Sequence, residues 1–172
     1  EYLALFTVTE TSFFEHIDIE NSIKDTPQIY EWHETPCSAG YDYGMTNSRT
    51  TITIRTEIKG ELIQLFQYRA EAGFDINNLI KPEWEHSIQN LKRRYNLFMA
   101  IADDCPQGDS TNRWFEQNSG IQVKKYNFRS DQMSKQDGIN RNCAAYSYRA
   151  RLKEGTLKIP KWNTIQQYEM KI

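Results

Sequence analysis

The sequence predicts an α+β fold: a twisted, mainly antiparallel sheet with one long amphipathic helix, over about residues 82–103, packed on one face. Three observations lead there. Segments that alternate β-branched or aromatic residues with polar ones recur along the chain. One segment, 82–103, repeats its apolar residues at helical spacing instead. Few of the connections between strands are patterned as βαβ crossovers. The 172 residues suit one globular domain, 1–172, large enough to bury a core without staples. Eight Phe, ten Tyr and abundant Ile supply that core.

In chain order, "YLALFTVT" (2–9) reads as a strand and "FFEHIDI" (13–19) as its hairpin partner. Asp25-Thr26-Pro27 breaks the chain. "QIYEWHE" (28–34) is a short extended run, and "TPCSAGYDYGMTNS" (35–48), with Pro36, Gly40 and Gly44, reads as loop. The clearest hairpin is "TTITIRTEI" (50–58), a tight Lys59-Gly60 turn and "ELIQLFQYRA" (61–70). Pro82 opens the helix, along which Trp84, Ile88, Leu91, Tyr95, Phe98 and Ala102 fall on one stripe.

Residues 103–120 read as loop with a helical turn at 112–117, and "IQVKKYNF" (121–128) reads as a strand. "SDQMSKQDG" carries Ser130 as N-cap and Gly138 past the end of a short helix. "NCAAYSYRARL" (142–152) alternates Ala144, Tyr146, Tyr148, Ala150 and Leu152 against Cys143, Ala145, Ser147, Arg149 and Arg151, which predicts a strand. Pro160 places "TLKIPKW" at a sheet edge, and Tyr168, Met170 and Ile172 close the sheet.

The net charge of −2 is unevenly spread. Residues 1–86 hold 15 acids against 6 Lys/Arg, and residues 87–172 hold 8 against 15. Such bipolarity marks either a basic binding face or acidic and basic strands that neutralise each other in one sheet; the second is favoured, with Glu57 and Glu61 facing Arg149 and Arg151.

Metal and catalytic signatures are sparse. His33 and Cys37 make one H-x3-C pair without a second pair to complete zinc coordination. Asp103, Asp104 and Asp109 surround a glycine without EF-hand spacing. Asp103 and Asp104 would follow the long helix, where negative charge opposes the dipole; a frayed end is the favoured reading over a bound cation. Phosphate-binding loops and the G-x-S-x-G elbow are absent from the sequence. No cofactor, no catalytic residue and no metal ligand is assigned. Three cysteines argue against a disulfide scaffold, with Cys105–Cys143 the best pair if one forms. That pair and the missing initiator Met lean towards export, with a cytoplasmic location nearly as well supported.

The preferred function is a non-enzymatic protein-binding module of the inhibitor, immunity or accessory-subunit type. Its anchors would be Trp32, Tyr41, Tyr43, Trp114 and Phe115 in expected loops, with Arg149 and Arg151 on the polar face. The first alternative is single-stranded nucleic-acid binding through the basic C-terminal half. The second is a small hydrolase using Cys37 or Asp103/Asp104. No membrane span is present in the sequence.

Overall fold

The computed structural model describes residues 14–24, 28–44, 48–106, 108–126 and 141–161, with 141–144 as helical backbone only. The expected strands 2–9 and 168–172 and the short helix after Ser130 lie outside the described residues. Described elements are α1 (His16–Ser22), β1 (Ile23–Lys24), β2 (Trp32–Asp42), β3 (Arg49–Ile58), β4 (Glu61–Ala72), a 3-10 helix (Ile76–Ile80), α2 (Ile88–Arg94), β5 (Tyr95–Asp103), α3 (Asp109–Asn118), β6 (Gln122–Tyr126), α4 (Arg141–Lys153) and β7 (Leu157–Pro160). The α+β class is the expected one. The sheet is mixed rather than mainly antiparallel, in the order β1-β7-β4-β3-β2-β5-β6. β2–β3 and β3–β4 pair antiparallel; β2–β5, β5–β6, β4–β7 and β1–β7 pair parallel.

The helical turn expected at 112–117 within a loop is part of a ten-residue helix, α3, and the β3–β4 hairpin and β6 stand where the sequence places them. The long helix does not. It stops at Arg94, and Tyr95–Asp103 is a strand between β2 and β6. The cause is a β-bulge. Leu97 pairs with Cys37 and Met99 with Ser38, which leaves Phe98 as the extra residue. Tyr95 and Leu97 point into the core, and so do Ala100 and Ala102, on the shifted parity. A strand whose alternation slips once reads as a helical stripe. Lys92, Arg93 and Arg94 then occupy the last turn of α2, favourably placed against its dipole.

Three other elements change type. Residues 35–42 are part of β2 rather than loop: Cys37, Ala39 and Tyr41 are buried, and Pro36 falls at the irregularity between Trp32 and Cys37, where no ladder bond is lost. Gly44 ends the run, because a Cβ there would lie 2.4 Å from the Arg49 backbone. Residues 142–152 lie in α4, not a strand. Ala145, Tyr148, Arg149 and Leu152 form the more buried stripe at i, i+3, i+4 and i+7, and alanine, arginine and leucine are strong helix formers. The expected strand at 13–19 gives way to α1, braced by a His16–Glu20 pair at 3.3 Å.

One sheet face carries the main core. Ile52, Ile54, Phe66, Tyr95 and Ala100 are packed with Leu79, Ile88, Leu91 and Phe115 from the 3-10 helix, α2 and α3. The other face is met by α4, where the Arg55 guanidinium stacks 5.3 Å from the Tyr148 ring centroid. Among the described residues no helix is long and apolar enough to cross a membrane.

His86 is buried beside the core among the rings of Phe66, Tyr68 and Trp84, at 5.3, 4.5 and 5.4 Å. Burial lowers its pKa from 6.5 to about 4, helped by Arg94 and opposed by Glu85. The neutral ring accepts a hydrogen bond from Arg94 at 3.2 Å on Nδ1. Between pH 6.5 and 4 the unfolded chain takes a proton that the fold refuses. Stability therefore falls as pH drops through that window, and above pH 6.5 the imidazole is neutral in both states. The loss is on the order of 3 kcal/mol at 1.36 kcal/mol per unit. Urea unfolding of His86→Phe is expected to show a shallower decline between pH 7 and 4.5 than the parent protein.

Candidate functional site

The parallel pair β2–β5 brings two carboxylates together. Tyr41 is in register with Ala102, so Asp42 and Asp103 follow side by side at the C-terminal ends of adjacent strands, about 4.8 Å apart in backbone spacing. Alternation sends both to the face opposite the main core. In β2 Cys37, Ala39 and Tyr41 point inward while Ser38, Gly40 and Asp42 point outward; in β5 Ala100 and Ala102 point inward while Ile101 and Asp103 point outward. Partial burial, and then the negative charge of Asp103, push the Asp42 carboxyl above its usual range. The carboxyl ends of parallel strands are where open α/β sheets bind ligands.

A groove of about 300 Å³ runs along this outward face, lined by Ser38, Gly40, Asp42, Thr51, Thr53, Arg55 and Ile101. Its floor is polar and low, since Gly40 has no side chain and Thr51 and Thr53 are short. Arg55 stands at one end. On the far side β6 pairs Lys124 with Ile101 and Tyr126 with Asp103, and Lys124 alternates onto the outward side, opposite the buried Val123. Two carboxylates thus sit among flanking cations.

Behind them, the ends of the two strands are joined through the interior. Tyr43 Oη donates to Asn112 Oδ1 at 2.6 Å, and Asn112 Nδ2 donates to the Asp103 carbonyl at 3.2 Å. Burial, with the charges of Cys105 and Asp103 nearby, raises the Tyr43 pKa, so the phenol remains a donor.

The donor set suits a small hard cation. Magnesium is typically held by one or two carboxylates, several waters and the substrate's own phosphates. Asp42 and Asp103 provide that, and a cation would relieve the repulsion that raises Asp42. Among the described residues no group of three or more His, Cys, Asp or Glu converges, so Asp103, Asp104 and Asp109, weighed as a cation site and not favoured, do not cluster. Asp109 is engaged by Arg113 and by Lys125 at 2.6 Å, and those hydrogen bonds hold its carboxyl down at about 2. His33 and Cys37 part company: His33 is exposed beside Glu31, whereas Cys37 is fully buried and its thiol pKa is raised by that burial. A buried, protonated thiol is a poor nucleophile.

The aromatic anchors prove to be packing residues. Tyr41, Tyr43 and Phe115 are buried in the core, with the Tyr41 and Phe115 rings 5.2 Å apart. Trp114 packs against the same cluster. Trp32 opens β2, half-buried, and its Nε1 donates to Thr35 Oγ1 at 3.0 Å. Trp32 and Tyr41 lie in β2 and Trp114 and Phe115 in α3, whereas Tyr43 lies in the loop after β2, as expected, but is buried there. Arg149 and Arg151 lie on α4. Arg151 meets Glu57 at 3.3 Å, and Lys153, with a smaller contribution from Arg149, lowers the Glu15 carboxyl. With Lys158–Glu61 at 3.3 Å and Lys153–Glu15 at 2.7 Å, basic residues of the second half neutralise acids of the first. Arg151→Ala is expected to cost under about 1 kcal/mol in urea unfolding, as an exposed pair does. The Cys105–Cys143 pairing falls on Cys143, whose side chain lies outside the described residues.

Asp42 is the residue that sequence reasoning missed. Its signal was the alternation Cys37/Ala39/Tyr41 against Ser38/Gly40/Asp42, masked by the flanking proline and glycines.

No protein-family model and no curated protein sequence matches the chain. Solved structures do. The chain is similar to the large terminase nuclease of thermophilic phage G20c, solved with bound magnesium, at a TM-score of 0.65 and 13% identity, covering 91% of this chain and 78% of that one. It is similar to the large terminase of another thermophilic bacteriophage, at 0.53 and 17%, covering 92% of this chain but only 35% of that chain. The human cytomegalovirus terminase nuclease domain, soaked with manganese and inhibitor-bound, matches at 0.51 and 11%, covering 92% and 85%. The chain thus spans about a third of the length of the second of these, the phage large terminase. These neighbours overturn the expected non-enzymatic inhibitor, immunity or accessory module: the architecture is one shared with viral terminase nuclease domains.

Proposed function

We propose that this chain is a nuclease domain that cleaves phosphodiester bonds in nucleic acid with a divalent cation held by Asp42 and Asp103. The observation that carries the reading is the placement of these carboxylates at the ends of adjacent parallel strands, with Asp42 in a groove that Arg55 also lines and Lys124 on the outward side of the neighbouring β6. The similarity to terminase nuclease domains supports it at the level of fold. A cation bound there supplies Lewis-acid polarisation of a phosphodiester and offsets its developing charge.

The chain's own residues do the rest. Asp42 and Asp103 would hold and orient the cation through their carboxylate oxygens. Lys124 and Arg55 attract the phosphate backbone, so binding weakens as salt rises. Gly40, with Thr51 and Thr53, leaves the floor open to a sugar–phosphate chain. This departs from the expectation of no cofactor and gives the earlier hydrolase alternative its site at Asp103, without Cys37. Incubation of end-labelled single- and double-stranded DNA with the protein in Mg²⁺ or Mn²⁺ tests it. Cleavage that EDTA stops is expected; salt-sensitive binding without cleavage in either ion would overturn the proposal and leave a binding protein.

A further inference from the structure

We infer that Asn112, acting with Tyr43, is a positioning residue that sets the spacing of the Asp42–Asp103 pair. The inference rests on the cation-binding reading above. Tyr43 directly follows Asp42 in the chain, and its hydroxyl ends on the Asn112 side-chain oxygen at 2.6 Å. The same amide donates to the main-chain carbonyl of Asp103 itself at 3.2 Å. The Tyr43 and Asn112 side chains in series therefore link the residue after Asp42 to the main chain of Asp103.

The bridge is rigid for physical reasons. Asn112 is fully buried and Tyr43 nearly so, at 0% and 4% exposure. The Tyr43–Asn112 bond is buried and the Asn112–Asp103 bond part-buried, so breaking the first leaves an orphaned polar group inside the protein. The amide orientation is determined by its partners: its oxygen must accept from the phenol and its nitrogen must donate to the carbonyl. Asn112 is itself seated in α3, where its N–H donates to the Gly108 carbonyl at 2.8 Å. Gly108 fits because it lacks a side chain, since a Cβ would lie 2.4 Å from the Tyr43 ring. α3 is tied to β6 by Asp109–Lys125. The helix thus acts as a brace behind the site, on the face away from the groove. Neither Asn112 nor Tyr43 touches the cation or substrate in this arrangement. They hold the carboxylates at a fixed separation against mutual repulsion.

Manganese binding to the full 172-residue chain tests this, followed by the EPR signal of free Mn²⁺, beside thermal unfolding of each protein. Tyr43→Phe keeps the ring packing and removes one bond; Asn112→Leu removes both. Tyr43→Phe is expected to weaken Mn²⁺ binding about 10-fold, the usual size for a group that orients metal ligands, and Asn112→Leu at least as much. Asp42→Asn serves as the binding-deficient control. A folded Tyr43→Phe whose melting temperature falls while its Mn²⁺ affinity stays unchanged would overturn the inference, because a purely structural bond moves only the first. If Asn112→Leu does not fold, Tyr43→Phe still decides. If the parent protein binds Mn²⁺ no better than Asp42→Asn, the cation reading fails and the inference falls with it. If the parent binds and both variants bind equally well, the inference alone fails.

Discussion

Asp42→Asn and Asp103→Asn, each alone, are expected to lower cation-dependent DNA cleavage by about 1,000-fold or more while leaving the protein folded. The size follows from the several kcal/mol that a positioned cation contributes to a transition state, at 1.36 kcal/mol per tenfold in rate. Amide for carboxylate keeps the shape and removes the charge, so the groove is unchanged but the cation is lost. The stability effect should run the other way for Asp42. Its folded pKa is raised by burial and by Asp103, so ionising it costs the fold stability that is fully present only at low pH and is lost as pH rises through the raised pKa. At pH 7 Asp42→Asn should therefore melt higher than the parent in EDTA, not lower. A proton also competes with the cation for this carboxyl, so Mg²⁺ affinity should tighten as pH rises from the acid side. Cleavage assays with labelled DNA and thermal unfolding with and without Mg²⁺ check all three. Retained cleavage in either variant would remove that residue from the site.

Phe115→Ala is expected to cost about 3–5 kcal/mol of folding stability, the range for deleting a buried aromatic ring. That is a large share of the roughly 5–15 kcal/mol that holds a domain of this size. Phe115 is fully buried on α3, its ring against Tyr41 and Trp114. Read from the sequence it belonged with the docking anchors, and the two roles predict different outcomes. A docking anchor leaves urea unfolding nearly unchanged when truncated. A core ring leaves a cavity between α3 and β2, loosening the brace behind Asp42. Urea unfolding separates them: a midpoint within error of the parent's would return Phe115 to the surface.

The hairpin β3–β4 was legible because β3 alternates Ile52 and Ile54 with polar residues and a two-residue turn with Gly60 at φ +84° follows, even though the ladder slips between Ile54 and Arg55. Of α3 only the turn at 112–117 was read, and β6 was legible for similar local reasons. The bulged β5 was not, since Phe98 shifts the alternation and turns Ile88, Leu91, Tyr95, Phe98 and Ala102 into a false helical stripe. α4 was misread in the opposite sense: its alternating alanines and tyrosines mimic a strand, and only the stripe of Ala145, Tyr148, Arg149 and Leu152 betrays the helix. Of the proposed pair only Asp103 drew notice in the sequence, and it was read as a frayed helix end with no metal assigned. Asp103 and Asp104 stood out as acids ill placed at a helix end, a position consistent with a bound cation. The oddity dissolves once the helix ends at Arg94 and Asp103 ends a strand.

By itself the sequence determined the class, the central hairpin, the abundance of core aromatics and the opposition of acidic and basic halves, which the ion pairs of Arg151, Lys153 and Lys158 realise. Those properties depend on composition and on neighbours within a few residues. Only the tertiary structure decided that β2 and β5 lie parallel and in register, so that Asp42 and Asp103, 61 positions apart in the chain, end on one face. Parallel pairing is made by hydrogen bonds between strands distant in sequence, and a bulge hides its alternation. The proposed site rests on that pairing, not on any local stretch of the chain.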